Sequence, residues 1–323
     1  MTLSAATPSA PVPSSEPALA LSSQFQARLT ELWIYPIKSC AGVSVSQAVL
    51  TPFGLASDRT WMVVDAQGDM VTQRDFPRMA LIQPIQVPTG DDAMPAWQLQ
   101  APGMANLPLV PNMTSMPVTV RVWQDTVSAF DMGPACGQWL TEFLGSNSAM
   151  ARRPLRLVQF DARHKRVASL TWTQGVEALN QFSDGFPILV ASTASLAELN
   201  GRLAQQGVAA VNMRRFRPNV VLGDTAEHAL LPHDEDRVGL MTMATEEGVP
   251  VQLQPVKPCP RCPIPNIDPD TALTAPVVSD TLQQYRQDTR VQGGITFGMN
   301  AITVQGVGQA LRVGQHVSAD WVF

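Results

Sequence analysis

From Ala27 onward, apolar and polar residues alternate in short runs. Leu29, Glu31, Trp33 and Tyr35 interleave with Thr30, Leu32 and Ile34, which predicts a strand buried over much of both faces. Pro36 ends it, because proline lacks an N–H and fixes φ, and Lys38-Ser39-Cys40 follow at the exit. The same pattern predicts strands at Val43–Leu50, Thr60–Asp65, Met70–Arg74, Ala80–Val87, Trp97–Ala101 and Val118–Trp123. Pro52 and Gly54 turn the chain into Asp58-Arg59, and Gln67-Gly68-Asp69 makes the turn of a hairpin meander. Pro-, Gly- and Met-rich loops fill the remaining gaps. Short strands separated by turn residues predict a barrel or sandwich.

Near Pro134 the period lengthens. Trp139, Leu140, Phe143 and Leu144 recur at helical spacing, with Gly145 as the stop. Leu155–Phe160 reads as a strand within the basic segment 151–166. Together these changes place a boundary near residue 150. Beyond it, Phe182–Pro187 precedes a buried strand, Ile188–Ala191. Ser192 or Thr193 then caps a helix that carries Leu196, Leu199 and Leu203 on one face and stops near Gly207. The stretch Arg214–Leu222 starts the next strand, along which Arg215, Arg217 and Asn219 alternate onto one face. Val251–Pro255 leads into a proline-rich stretch. A helix over Ser279–Gln287 and strands at Gly293–Gly298, Ala301–Gln305 and His316–Val322 complete the chain.

Composition narrows the class. With 27 prolines and 15% charged residues in 323, a compact, loop-rich β protein fits better than a helical bundle or a disordered chain. That length makes one very large domain or two ordinary ones. Lys and Arg number 22 against 27 Asp and Glu, so the chain lacks the basic footprint of a nucleic-acid or membrane-surface binder. Residues 1–22 are mostly Ala, Ser, Pro and Thr and read as a disordered tail. They have neither the basic start and apolar run of a secretory signal nor the arginines of a mitochondrial presequence. No stretch approaches the roughly 20 apolar residues of a membrane span. Cys40, Cys136, Cys259 and Cys262 form no disulfide framework, which predicts a reduced, cytoplasmic protein.

The chemistry gathers at Cys259–Thr271, which packs two cysteines, four prolines and two aspartates into thirteen residues. The prolines predict a stiff loop, neither helix interior nor central strand. A Cys-x-x-Cys pair is half of a zinc site, a redox dithiol, or one reactive thiol with a bystander. Pro263, Pro265 and Pro269 argue against the helix that a thioredoxin-like dithiol opens. A single thiolate, favoured by neighbouring Arg261, remains beside the zinc reading. Asp268 and Asp270 are open to two readings: an Asx-type turn that fixes the loop, or a catalytic carboxylate at Asp268. Lys38, Arg59, Arg217 and Arg261, if brought around one soft thiolate, would suit a large anion bearing both a phosphate and a metal. The scattered histidines build no Ser-His-Asp or Cys-His arrangement.

The stretches ELWIYPIKSCAGVSV (31–45), GLASDRTWMVVD (54–65) and MVTQRDFPRMALI (70–82) resemble the β-barrel domain that precedes MOSC domains. FPILVASTASLAELN, FRPNVVL, CPRCPIPNIDPDT and FGMN in the second half resemble the MOSC domain itself, named after the C-terminal part of molybdenum cofactor sulfurase. The order and spacing agree from about residue 26 to the end. The subfamily resembled is that of the mitochondrial amidoxime-reducing component and its bacterial relatives. The resemblance implies an α+β, mainly β fold: a MOSC N-terminal β-barrel domain over 26–150, then a MOSC β-barrel domain with a few helices over 151–323, after a tail at 1–25.

It also implies a molybdenum cofactor (Mo-molybdopterin), with Cys262 as the metal ligand and catalytic residue. Lys38, Ser39, Arg59 and Arg217 would hold the phosphate and pterin, and Arg261 would line the site. Asp184, Gly185, Asn219 and Asn300 are further candidate contacts, and pyridoxal phosphate binding is an association of the family as a whole. The implied activity is two-electron reduction of N-hydroxylated small molecules with electrons from an external reductase or ferredoxin-like partner. No cysteine follows Cys262, so no iron–sulfur cluster of its own is expected. The alternative is a sulfur or cofactor carrier, with a persulfide or the cofactor on Cys262 and no turnover. The sequence departs from the family at Pro263-Ile264-Pro265-Asn266, where relatives often carry two threonines, and at Asn300, where some carry tyrosine.

Overall fold

The computed structural model of the protein describes residues 24–88, 96–110, 116–145 and 154–322. The tail up to residue 23, Arg152 and Arg153 of the basic segment, and the boundary near residue 150 lie outside the described residues. The first half contains β1 (Phe25–Ile34), β2 (Val43–Val45), β3 (Gln47–Thr51), β4 (Gly54–Leu55), β5 (Trp61–Val64) and β6 (Gln83–Val87). It continues through β7 (Ala96–Gln100), β8 (Leu107–Leu109), β9 (Val118–Val122), β10 (Asp125–Asp131), α1 (Pro134–Gly145) and β11 (Arg156–Phe160). The second half adds β12 (Ile188–Ser192), α2 (Thr193–Gln205), β13 (Val220–Gly223), β14 (Met241–Met243), β15 (Val251–Pro260) and α3 (Val277–Gln283). It ends with β16 (Gln287–Asp288), β17 (Gly294–Gln305), β18 (Ala310–Arg312) and β19 (His316–Ala319). The molecule is mainly β with few helices, as the pattern predicts.

The largest sheet runs β12-β13-β1-β19-β14-β15-β17, and β17 pairs back onto β12, closing a seven-stranded barrel. Closure gives each of those seven strands a neighbour on both sides over at least part of its length. Six of the seven come from the second half of the chain, but β1 sits between β13 and β19, with Leu32 opposite Val220 and Arg28 opposite His316. Likewise β18, near the C-terminus, pairs with β3. One core runs through both halves and joins Leu29, Leu32, Trp61 and Trp97 to Val220, Leu253 and Val317. A second packs α2 and α3 on the barrel through Leu199, Leu203, Val278, Leu282 and Phe297. Helix α2 starts where the pattern predicts, because the Ser192 hydroxyl accepts the Ser195 N–H at 3.1 Å.

Several expectations are corrected. Strand β1 begins at Phe25, the last residue assigned to the tail. The stretch 43–50 is two strands, β2 and β3, and 70–74 forms only a bridge from Met70 to Val64. Residues 77–81 are a 3-10 turn ahead of β6, while β8 and β10 fall in stretches read as loop. Arg214–Leu222 is not one strand. Met213–Arg215 is a 3-10 turn, Arg217 takes a left-handed φ of +59°, and β13 starts only at Val220. The alternation that put Arg215, Arg217 and Asn219 on one face therefore does not apply.

The proline-rich stretch is also reassigned in part, because Cys259 and Pro260 extend strand β15, paired only with β17 there. Among the described residues that side of β15 has no ladder partner beyond β14, and the register with β17 shifts between Pro255 and Lys257 and between Pro258 and Pro260, so the prolines sit where the ladder is irregular. Strand β17 is continuous where two strands are predicted. It bends at Gly298 (φ +77°), whose position leaves no room for a Cβ: one there would lie 2.5 Å from the Val190 carbonyl oxygen.

Candidate functional site

Three turns build the site. At the exit of β1, Pro36 stops the strand and Lys38 N–H bonds the Trp61 carbonyl (2.8 Å), which leaves Ser39 left-handed at φ +66°. The Asp58-Arg59 turn is sewn onto it. The Tyr35 N–H donates to the Asp58 carboxylate (2.8 Å), and the Arg59 N–H to the Tyr35 carbonyl (2.8 Å). Arg59 is left-handed at φ +49°, as is Arg217 in the third turn, ahead of Pro218. Non-glycine residues in this region cost of order 1–3 kcal/mol each. Three of them at one place mark a backbone held for the sake of its side chains.

Those side chains meet in one groove. Lys38, Ser39, Arg59, Asp184 and Gly185 line it, with Arg217, Asn219, Arg261, Cys262 and Asn300. The groove has a cavity volume of about 100 Å³ and opens to solvent. Lys38, 5% exposed, donates from Nζ to the Phe182 carbonyl (2.9 Å) and to the Asp184 carboxylate. Burial lowers its pKa, and Asp184 opposes that shift. Desolvation works against ionisation of Asp184, but Lys38 holds its carboxyl well below the usual carboxylate range. Arg59 donates to the Asp58 carboxylate (2.6 Å), the Asn219 side-chain oxygen (3.0 Å) and the Arg217 carbonyl (3.1 Å). Arg217 bonds the Cys40 carbonyl at 2.5 Å. Burial, then repulsion from Arg59, lowers its pKa to about 10. Both guanidiniums lie over the Tyr35 ring, at 4.4 Å for Arg59 and 4.2 Å for Arg217.

Two thiols, Cys259 and Cys262, line the groove, and neither is in a disulfide. Cys40 is buried beneath it, where desolvation pushes its thiol up to about 12, so it offers no thiolate. The guanidinium of Arg261 turns to Cys259 rather than Cys262: its Nη1 lies 3.1 Å from the Cys259 sulfur. Its Nη2 bonds the Phe216 carbonyl at 2.9 Å, and its Nε is buried without a partner. Phe216 stacks on Phe297 at 3.8 Å, which fixes that wall.

Asn219 is 1% exposed and fully engaged. Its side-chain oxygen takes Arg59 and the Leu189 N–H (3.1 Å), and its amide donates to the Trp33 carbonyl (3.1 Å). It holds Arg59 and has little left for a ligand. Asp268 is not brought to the groove. Its carboxylate accepts the N–H groups of Asp270 (2.9 Å) and Thr271 (3.0 Å) and pairs with Arg215 at 2.8 Å. The Asx-type turn is thus the reading the geometry supports, and the catalytic assignment of Asp268 loses its basis.

Arg74 and Trp123 also line the groove, although nothing in the alternation marks them. Arg74 lies 4.4 Å over the Trp123 ring, and the indole N–H reaches Asp184 at 3.1 Å. Arg166 staples the approach by donating to the carbonyls of Gln181 (2.8 Å), Ser183 (2.5 Å) and Asp184 (3.2 Å). The groove thus gathers five cations, Lys38, Arg59, Arg74, Arg217 and Arg261, of which Asp184 pairs with Lys38 and the buried Asp58 with Arg59, in a chain whose net charge is −5. Among the described residues no group of three or more His, Cys, Asp or Glu side chains is placed to hold a metal ion. A metal here has to bring most of its own ligands. Cationic walls, an unpartnered guanidinium nitrogen and accessible sulfur fit an anion that carries a soft metal.

The chain matches the MOSC N-terminal beta barrel domain over residues 26–147 and the MOSC domain over residues 178–318. It is 35% identical over 269 residues to mitochondrial amidoxime-reducing component 1 of Homo sapiens, covering 80% of this chain and 72% of that protein. It is 34% identical over 267 residues to mitochondrial amidoxime reducing component 2 of Bos taurus, again covering 80% and 72%.

Proposed function

This chain belongs to the family that joins a MOSC N-terminal beta barrel domain to a MOSC domain, and from that membership we propose that it is a molybdenum-cofactor-dependent reductase of N-hydroxylated compounds. The observation that carries the reading is the convergence of five cations and an accessible sulfur in one groove of an acidic chain. The reaction takes an N-hydroxylated compound, two electrons and two protons to the N–H product and water. When bound, the cofactor supplies a metal that changes oxidation state by two electrons. Cys262 would ligate that metal through its thiolate, while Lys38, Ser39, Arg59, Arg217 and Arg261 would hold the cofactor's anionic and hydrogen-bonding groups.

The chain's own part is position and charge. Arg59 and Arg217 arrive already oriented, because Asn219, Tyr35 and the Cys40 carbonyl fix them before any ligand binds. Asp184 neutralises Lys38 and anchors it on the 182–184 turn. The open groove leaves the reacting end accessible to an external electron donor and to a small-molecule substrate. The chain's free cysteines favour a reducing compartment, and we place the protein in the cytoplasm on that ground.

Metal and pterin analysis after expression in a cofactor-competent host tests the reading directly, with about one of each per chain expected. Cys262→Ser should abolish molybdenum binding, and Cys259→Ser should leave most of it. The loaded protein should reduce benzamidoxime with an artificial donor. Zinc that depends on both cysteines would overturn the proposal. Molybdenum without reduction from any donor would favour the carrier reading.

A further inference from the structure

A second cavity, of about 490 Å³, adjoins the groove. It lies between segments 41–44 and 80–86 on one side and 214–217 and 264–270 on the other. Arg217 and Ile264 line both spaces and so form the sill between them. The two spaces differ in charge. Of the groove's five cations, Lys38 pairs with Asp184 and Arg59 with Asp58, which leaves Arg74, Arg217 and Arg261 with no carboxylate partner among the described residues. In the second cavity, Asp270 pairs with Arg214 at 2.6 and 2.9 Å. Arg215 is held by Asp268 at 2.8 Å and the Pro265 carbonyl at 3.1 Å. Apart from Arg217 on the sill, the rest of the lining is uncharged, with Val43, Ile85 and Ile267 beside the carboxamides of Gln83 and Gln86. Apolar side chains beside convergent polar groups, at this volume, suit a small-molecule site. With two of its three arginines paired to carboxylates, the cavity is less cationic than the groove.

We propose that this second cavity is the substrate pocket, taking an uncharged N-hydroxylated compound with a planar apolar body and directing its N–O group across the Arg217–Ile264 sill. The inference rests on the reading of the groove as the cofactor site. The anionic cofactor takes the more cationic space, and the neutral substrate takes the less cationic one beside it. The unusual prolines acquire a role. Pro263 and Pro265 flank Ile264 in a 3-10 turn and fix φ on either side of it, which holds the sill in place. Ile264 is thereby a specificity-determining residue.

The test uses Ile85→Trp and Gln86→Trp, at positions that line the second cavity and not the groove. Gln86 is exposed, so its replacement leaves the core intact. KM is measured for benzamidoxime and for the smaller acetamidoxime in the molybdenum-loaded protein, and Kd for benzamidoxime is measured by calorimetry without a donor. The expected result is a rise of roughly tenfold or more in KM and Kd for benzamidoxime, and a change within about threefold for acetamidoxime. Molybdenum and pterin content should match wild type. Unchanged KM and Kd in both variants at equal molybdenum content overturns the pocket, as does wild-type protein that binds no benzamidoxime. Binding that the variants lose, in a protein that no donor can drive through turnover, leaves the pocket standing and removes the reductase reading.

Discussion

Tyr35 keeps two like charges in place. Its ring is 1% exposed, lies against both Arg59 and Arg217, and carries a hydroxyl with no hydrogen-bond partner. The ring face should therefore matter and the hydroxyl should not. Tyr35→Phe should leave phosphate binding to the cofactor-free protein within about 0.5 kcal/mol of wild type. Tyr35→Leu gives up two cation–π contacts of about 1–2 kcal/mol each and should weaken phosphate binding by about tenfold or more in calorimetry. Equal losses in both variants would show that the hydroxyl, not the ring, is the working part.

A second pair of residues sets a pH dependence. Burial, then repulsion from Arg286, lowers His233 to about 4, whereas burial, then Asp236, raises Glu235 to about 7. The depressed His233 contributes stability above 6.5 that is lost as pH falls toward 4. The raised Glu235 contributes stability below 4.5 that is lost as pH rises toward 7. Between 4.5 and 6.5 the two slopes oppose each other and largely cancel. Glu235→Gln removes one of them. The urea midpoint of that variant should fall as pH drops from 6.5 to 4, by up to about 3 kcal/mol of stability, where this pair keeps wild type level. A midpoint independent of pH in the variant would refute the pairing.

Among the elements, β17 is the least tolerant. It pairs with both β15 and β12, and it passes the barrel wall at Gly298 with φ +77° and no room for a methyl group. Gly298→Ala should cost about 1–3 kcal/mol from backbone strain alone, with more from the contact at Val190, and should lower Tm by several degrees. Gly175→Ala, also at positive φ but with open space around it, should carry the strain without the clash and lower Tm less. An equal drop in both would discount the contact. Element by element, the sequence was legible where one local rule governs. Helix α2 announces itself by the Ser192 cap and by Leu199 and Leu203, and β5 by four consecutive buried residues. The segment 214–222 was not legible, since its apparent alternation is broken by Arg217, whose left-handed turn is sustained by distant partners such as Cys40 and Tyr35. Nor was Trp123, because what makes it part of the site is Asp184, 61 residues away along the chain.

For the molecule as a whole, the barrel belongs to neither half. Strand β1 is one of its seven staves, and the groove draws Lys38, Ser39, Arg59 and Arg74 from the first half and the remaining cations and both thiols from the second. Residues 151–323 expressed alone should consequently fail to fold. The fragment exposes the facing edges of β13 and β19 and leaves the partners of Leu29 and Leu32 uncovered. Circular dichroism and solubility of that fragment, with and without added residues 24–150, would decide the matter. A soluble, cooperatively melting 151–323 would count against it.

The place of β1 in the wall also sets the order in which the molecule is made. Arg28 pairs with His316, so this residue of β1 waits for a partner made 288 residues later in the chain. At about 5–20 residues per second, that wait lasts roughly 15–60 s. Until β19 is made, β1 can pair only with β2 and then β13, its edge at 25–28 stays open, and the cationic turns beside it wait for the rest of the groove. Birth of this protein is thus bounded by translation time, and a nascent-chain chaperone that shelters residues 25–34 would act on the step that precedes every other.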